Sequence, residues 1–206
     1  MSSSADRLVW IDCEMTGLDL GTDELVEVAV VITDYDLAVI DPGFAIVIKP
    51  SAAALEQMND FVRAMHTTSG LLDELDAGVS LEEAEAAVLA YIQRFVALPQ
   101  IAPLAGNTIG TDRAFLNKYM PLVDGHLHYR SVDVSSIKEL SKRWYPRAYF
   151  NAPTKGGGHR ALADILESIR ELEYYRKAVF VVDPGPTSDE VQAISAEVVE
   201  RFSSHL

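Results

Sequence analysis

Arg7-Leu-Val-Trp-Ile-Asp12 runs directly into Cys13-Glu14-Met15-Thr16-Gly17, and this stretch decides how the rest of the chain is read. Its first six residues form a short run rich in β-formers, with a glycine standing just beyond. Leu25 to Thr33 and Phe44 to Lys49 are two further runs rich in valine and isoleucine. Asp34-Tyr-Asp36 and Asp41-Pro-Gly43 supply turn chemistry between them, so the pattern predicts a three-strand antiparallel meander.

Helical spacing then takes over. Ser80 followed three residues later by Glu83 is a capping-box signature, and Leu81, Ala84, Val88, Ile92 and Phe95 continue it as one amphipathic helix ending near Pro99. Ile101 to Ala105 reads as a short apolar strand leading into Gly106-Asn-Thr-Ile-Gly110. A helix from about Asp112 to Tyr119, a strand from Tyr129 to Val134 and a helix from Ser135 to Trp144 follow. Pro153 to Gly158 is a loop by composition, and Arg160 to Lys177 a long helix with Leu162, Ile165, Leu166, Ile169 and Leu172 on its apolar side. Strands first and strand–helix alternation afterwards predict an α/β fold, a mixed β-sheet flanked by α-helices. Residues 1–180 are expected to form the domain, and 181–206 a C-terminal tail with a short helix from about Ser188 to Phe202. Trp10 and Trp144 read as core.

Thirty-one acidic residues against seventeen basic ones leave a net charge of −14 over 206 residues. That balance excludes a protein that coats long nucleic acid through many backbone contacts, but not one that takes a small anionic ligand beside a bound cation. The window from His128 to Arg160 is different, with seven basic and two acidic residues, hence +5 against −19 for the remainder. Lys138, Lys142 and Arg143 in it fit a solvated helix face, while the window as a whole could also mark where an anion docks. One cysteine, Cys13, excludes an internal disulfide and a multi-cysteine zinc cage. No run approaches the roughly 18 apolar residues of a membrane span. Met1-Ser-Ser-Ser-Ala-Asp6 has neither part of a secretion signal, so a cytoplasmic protein without membrane partners is expected.

Asp12 and Glu14 alternate along a strand, so they share one face while Cys13 points to the other as a small buried hydrophobe. Two adjacent carboxylates repel unless a cation sits between them, and all-oxygen ligation suits Mg²⁺ or Mn²⁺. Alone, the pair fits a solvated strand end better than a metal site. Asp112 opens a helix, where the macrodipole favours an acid without further purpose. Asp164 lies between Leu162 and Ile165, among apolar neighbours where an acid needs a partner. His159 is about 140° from Asp164 on a continuous helix, so the two converge only if His159 precedes the helix on the Gly156-Gly157-Gly158 loop. Together, four carboxylates and a histidine suit two divalent cations flanking a phosphodiester, with the imidazole taking a proton from attacking water.

These residues resemble a known family. Asp-x-Glu in the first strand, a central Asp and a closing His-x4-Asp resemble the DEDDh group of 3′-to-5′ exonucleases, which have a ribonuclease-H-like fold and a two-metal site. Val9-Trp-Ile-Asp-Cys-Glu-Met-Thr-Gly-Leu-Asp19 and Gly106-Asn-Thr-Ile-Gly-Thr-Asp-Arg113 look like the first two motifs of its oligoribonuclease branch. His128-Tyr-Arg130 with Asp133-Val-Ser135 and Lys138-Glu-Leu140 is similar to the segment that sets the branch apart, and His159-Arg-Ala-Leu-Ala-Asp164 closes the set. The resemblance runs from about Arg7 to Lys177 and implies an exonuclease domain. It implies hydrolysis of very short RNA oligonucleotides, dinucleotides above all, to nucleoside 5′-monophosphates, by a homodimer that does not take long duplexes. Asp12, Glu14, Asp112 and Asp164 would ligate the two divalent cations, Mg²⁺ or Mn²⁺, and His159 would be the general base. Leu18 and Phe61 would pack against the bases, His66, Thr108, Arg130 and Ser135 would hold the 5′ phosphate, and Tyr129 would come from the other subunit. The sequence departs from the pattern at Phe61, usually tryptophan, at Thr108, usually serine, and at Cys13, commonly leucine.

A tRNA-trimming or proofreading DEDDh exonuclease shares the five catalytic residues but not the His128–Arg130 segment. A catalytically silent binding module would be expected to lack one of the five. An acidic adaptor explains the charge and leaves the clustered residues unexplained.

Overall fold

The computed structural model describes residues 6–154, 156 and 158–203; Lys155 and Gly157 of the expected loop and residues 204–206 of the tail lie outside the described residues. Strands β1 (Leu8–Met15), β2 (Leu25–Thr33) and β3 (Phe44–Val47) form the predicted antiparallel meander. β4 (Pro103–Gly106) and β5 (His128–Asp133) join parallel to β1 and to each other, giving the order β3-β2-β1-β4-β5. β1 therefore lies at the centre, with an antiparallel neighbour on one side and a parallel one on the other.

All nine residues of β2 are buried, as expected of a strand covered on both faces. Alternation sorts the side chains. Val9, Ile11 and Cys13 of β1 pack with Val28, Val30 and Ile32 under α4 (Leu81–Phe95) and α5 (Gly110–Tyr119), against Val88, Ile92, Phe115 and Leu116. Leu8 and Trp10 pack on the other face with Ala29 and Val31 under α9 (Ala161–Ala178), against Ala161, Ile165, Ile169 and Tyr175. The Trp10 indole N–H donates to Thr33 Oγ1 at 2.9 Å, which satisfies its one polar atom in the core.

The long elements stand where their periodicity placed them. The Ser80–Glu83 capping box opens α4, and α10 (Ser188–Phe202) forms in the tail with a second box from Thr187 and Glu190. No residue of α10 is buried. Short helices appear between them: α1 (Ala52–Gln57), α2 (Asp60–Thr68), α3 (Leu71–Glu74) with a 3₁₀ turn over Leu75–Ala77, α6 (Pro121–His126) and α8 (Pro146–Phe150). Segments of four to nine residues are too short to show a helical period, so the sequence does not announce them. α7 spans Val134–Trp144, within the basic window.

Two core assignments are corrected. Trp144 is 66% exposed as the last residue of α7, where the helix has run out, and Leu166 is 45% exposed on α9. Ile165 and Ile169 take the sheet-facing positions instead. No helix among the described residues is long and apolar enough to cross a membrane.

β3 is followed by a close approach that only glycine permits. Val79 N–H donates to Val47 at 3.0 Å and Lys49 N–H to Val79 at 2.9 Å. A Cβ on Gly78 would lie 2.7 Å from Lys49 N and 2.8 Å from the Ile48 carbonyl carbon, backbone atoms that cannot swing aside. Gly78→Ala should therefore cost about 1–3 kcal/mol. Urea denaturation should show a lower midpoint at unchanged slope; an unchanged midpoint would mean that this pairing is not in place.

Candidate active site

Asp12 and Glu14 occupy the C-terminal half of β1 on the even-numbered face, the same face that Trp10 presents to α9. α9 carries Asp164 in its first turn toward them. Asp12, Glu14 and Asp164 offer carboxylate oxygens that all lie within 4.8 Å of one another. Asp112, in the first turn of α5, joins them through the backbone: its Oδ1 accepts the Cys13 N–H at 3.0 Å. One carboxylate is thereby tied to the residue between the other two. The cleft where these groups meet has a volume of about 410 Å³ and is lined by all four acids with Leu18, Asn107, Thr108 and His159 among others.

His159 does precede the helix. α9 begins at Ala161 with Arg160 as its N-cap, and His159 sits at φ +46°, so the chain turns there and brings the imidazole into the cleft. The side chain is exposed, within reach of solvent protons. This is the arrangement the spacing required, with a histidine on the loop and a carboxylate on the fixed helix.

Burial sets the charge state of the acids. Glu14 is pushed up from 4.5 to about 8, first by burial and then by the charges of Asp164, Glu27 and Asp112, with Arg160 opposing. Burial raises Asp112 to about 6, held back by the hydrogen bond from the Cys13 backbone. Burial and the neighbouring Asp112 carboxylate push the Cys13 thiol well above its ordinary value. Cys13 is buried in the core among Val9 and Ile11, as its place in the alternation predicts.

The other expected residues are distributed differently. Leu18 and Phe61 are apolar side chains left 74% and 78% exposed, available to cover a ligand. Thr108 lines the cleft at φ +56°, a strained conformation for a β-branched residue. Its N–H is pinned there by Ser135 Oγ at 2.8 Å and Asp133 Oδ1 at 3.0 Å, and the Thr108 and Ser135 hydroxyls lie 2.9 Å apart. Tyr129 and Arg130 stand on the edge strand β5, the guanidinium 5.3 Å from the ring centroid, and neither lines the cleft. His66 on α2 is fully buried. Its Nε2 lies 2.8 Å from the Met15 carbonyl and so donates to it, which leaves Nδ1 without a hydrogen bond, 4.0 Å from Glu14 Oε2. Burial lowers its pKa, with the hydrogen bond to the Met15 carbonyl opposing.

Several structural partners went unmarked in the sequence. Asn107 Nδ2 donates to Ser168 Oγ at 2.8 Å and to Glu171 Oε2 at 3.1 Å, while its Oδ1 accepts from Ser135. Glu171 is buried and paired with Lys138 at 3.0 Å, so this basic-window residue serves the interior rather than a solvated face. Glu27 and Arg160 hold the start of α9. An acid within a run of valines, or on the apolar side of a helix, was the available signal for Glu27 and Glu171.

Comparisons with known proteins agree with this geometry. The family model described as "Exonuclease" matches residues 9–172. The chain is 69% identical over 206 residues to an oligoribonuclease of Leifsonia xyli, covering 100% of both. It is 61% identical over 194 residues to an oligoribonuclease of Streptomyces coelicolor, covering 94% of this chain and 97% of the relative. Among solved structures, exonuclease I superposes with a TM-score of 0.65 at 15% identity, over 84% of this chain and 41% of the other. The Escherichia coli exonuclease I–oligonucleotide complex gives 0.62 at 16% over the same shares of the two chains. That likeness confirms the ribonuclease-H-like architecture of a mixed sheet flanked by helices. With its acids gathered at the end of the central strand and the match running almost from end to end, the chain is an enzyme of the exonuclease family and belongs to its oligoribonuclease group.

Proposed function

We propose that this chain is a 3′-to-5′ exoribonuclease for very short RNAs, dinucleotides above all, acting as a cytoplasmic homodimer and releasing nucleoside 5′-monophosphates. The observation that carries the reading is the convergence of Asp12, Glu14, Asp112, Asp164 and His159 on one cleft of about 410 Å³, the scale of a small-molecule site. A net charge of −14 suits a ligand with few phosphates, for which no basic track is needed.

The donor set fits divalent cations. It consists of carboxylate oxygens alone, three of them within 4.8 Å, with Asp112 raised by burial and Glu14 by burial and the charges of Asp164, Glu27 and Asp112, which a cation would offset. Asp12, Glu14, Asp112 and Asp164 would hold two such ions, Mg²⁺ or Mn²⁺, which when bound supply charge neutralisation at the scissile phosphate. His159 accepts the proton of the attacking water and, being exposed, returns it to solvent. Leu18 and Phe61 close over the bases, with Phe61 offering less stacking area than a tryptophan. Thr108, Ser135 and Arg130 hold the 5′ phosphate, His66 joins them on ligand binding, and Tyr129 reaches across from a second subunit.

Digestion of 5′-labelled two-, four- and twenty-nucleotide RNAs should show Mg²⁺-dependent turnover fastest on the dinucleotide and none with chelator. Equal or faster turnover of the longest RNA would overturn the small-substrate reading. Asp164→Asn should abolish turnover with the thermal melt of the metal-free chain retained; retained activity would remove Asp164 from the site.

The raised Glu14 pKa has a signed consequence. Between the ordinary 4.5 and about 8 the native state holds more protons than the unfolded one, so stability falls as pH rises through that window. The metal-free Tm should decline from about pH 5 to about pH 8. Saturating Mg²⁺ should raise Tm more at the upper end of that range, where Glu14 is ionised, and Glu14→Gln should flatten the metal-free decline. A metal-free Tm independent of pH, or equal Mg²⁺ stabilisation at both ends, would contradict this placement of Glu14.

A further inference from the structure

α9 presents both Asp164 and, one residue before its cap, His159, yet its first turn is not capped locally: Arg160 is the N-cap residue and makes no capping hydrogen bond with its side chain. The cap comes from a different element. Glu27, on β2 directly opposite Glu14 in the β1–β2 register, is 2% exposed and accepts the Ala161 N–H on Oε2 at 2.9 Å. Its Oε1 accepts from Arg160 Nη2 at 2.8 Å and Nε at 3.1 Å. The same guanidinium donates from Nη1 and Nη2 to Glu74 at the end of α3, at 2.8 and 3.1 Å. Asp164 N–H in turn donates to the Arg160 carbonyl at 3.1 Å.

A helix entered through a Gly156–Gly158 loop has no intrinsic reason to start at one height above the sheet. Cross-strand neighbours in an antiparallel pair lie side by side on one face, so Glu27 measures the start of α9 from the strand next to the acids. The bidentate, planar guanidinium makes that measurement directional, and Glu74 prevents it from rotating away. We propose that Glu27, Arg160 and Glu74 form a positioning clamp for the site, setting where His159 and Asp164 stand relative to Asp12 and Glu14. None of the three touches the reacting atoms. The inference rests on the proposed reaction for one of its readouts alone.

Glu27→Gln and Arg160→Gln separate position from charge. Through charge alone, loss of a nearby anion weakens cation binding and loss of a nearby cation strengthens it. Through position, both weaken it. We expect calorimetric Mn²⁺ affinity to fall about tenfold in each variant. Turnover of a dinucleotide should lose about tenfold in kcat with KM within about twofold, because misplacing His159 and Asp164 affects the chemical step more than substrate binding. Affinities that move in opposite directions, or stay at the wild-type value in folded variants, overturn the proposal. Where loss of a buried partner prevents folding, Glu74→Gln decides it at the exposed end of the clamp. The amides of Asp164 and Ile165 should then exchange hydrogen about tenfold faster than in wild type at equal Tm; unchanged exchange overturns the proposal. If the wild-type chain binds Mn²⁺ and exchanges as expected but turns over no dinucleotide, the reaction is wrong while affinity and exchange still decide the clamp.

Discussion

Three carboxylates with oxygens inside 4.8 Å of one another are the constraint around which the rest of the structure is arranged. Unscreened, such a group repels itself, and burial makes the repulsion worse by removing water. The protein withstands it by attaching each acid to something that cannot yield. Asp12 and Glu14 are on the central strand, paired on both edges. Asp164 is on a helix whose Ile165, Ile169 and Tyr175 are packed into the sheet. Burial, and then the neighbouring acids, leave Glu14 raised to about 8.

Alternation along β1 does the sorting that makes this possible. Odd-numbered residues, Val9, Ile11 and Cys13, belong to one hydrophobic layer, and even-numbered Leu8 and Trp10 to the other. Continuing the even series past the end of that second layer delivers Asp12 and Glu14 to the start of α9 with no special backbone device. Asp112 arrives from the opposite layer and reaches the site by accepting the one N–H that lies between the two acids. The second half of the site is organised by Asn107, whose amide links α9 through Ser168 and Glu171 to the Ser135 hydroxyl on α7. The acidic side of the cleft and the Thr108–Ser135 hydroxyls are therefore braced on the same helix.

The sequence is most legible where a pattern is long or chemically distinctive. The meander, α4, α9 and α10 have enough residues for a period to emerge, and the acids and His159 are marked by type and spacing. It is least legible for short helices and for residues whose environment is decided by their neighbours. Trp144 is large and apolar but is the last residue of its helix and is exposed. Lys138 lies in a basic run that suggests solvent, yet it neutralises buried Glu171. His66 sits on the nine-residue helix α2, and nothing local reveals that its ring is sealed against the Met15 carbonyl.

Period and spacing along one chain are enough for the order of the long elements, the face each β1 residue takes, the identity of the acids and the need for His159 to precede its helix. Contacts across the fold decide how far apart the acids stand, that Asp112 binds to Cys13's backbone, and that α9 takes its cap from Glu27 on β2. Those are contacts between segments separated by 99 and 134 positions, and their energies depend on burial and distance across the fold, which no local pattern encodes.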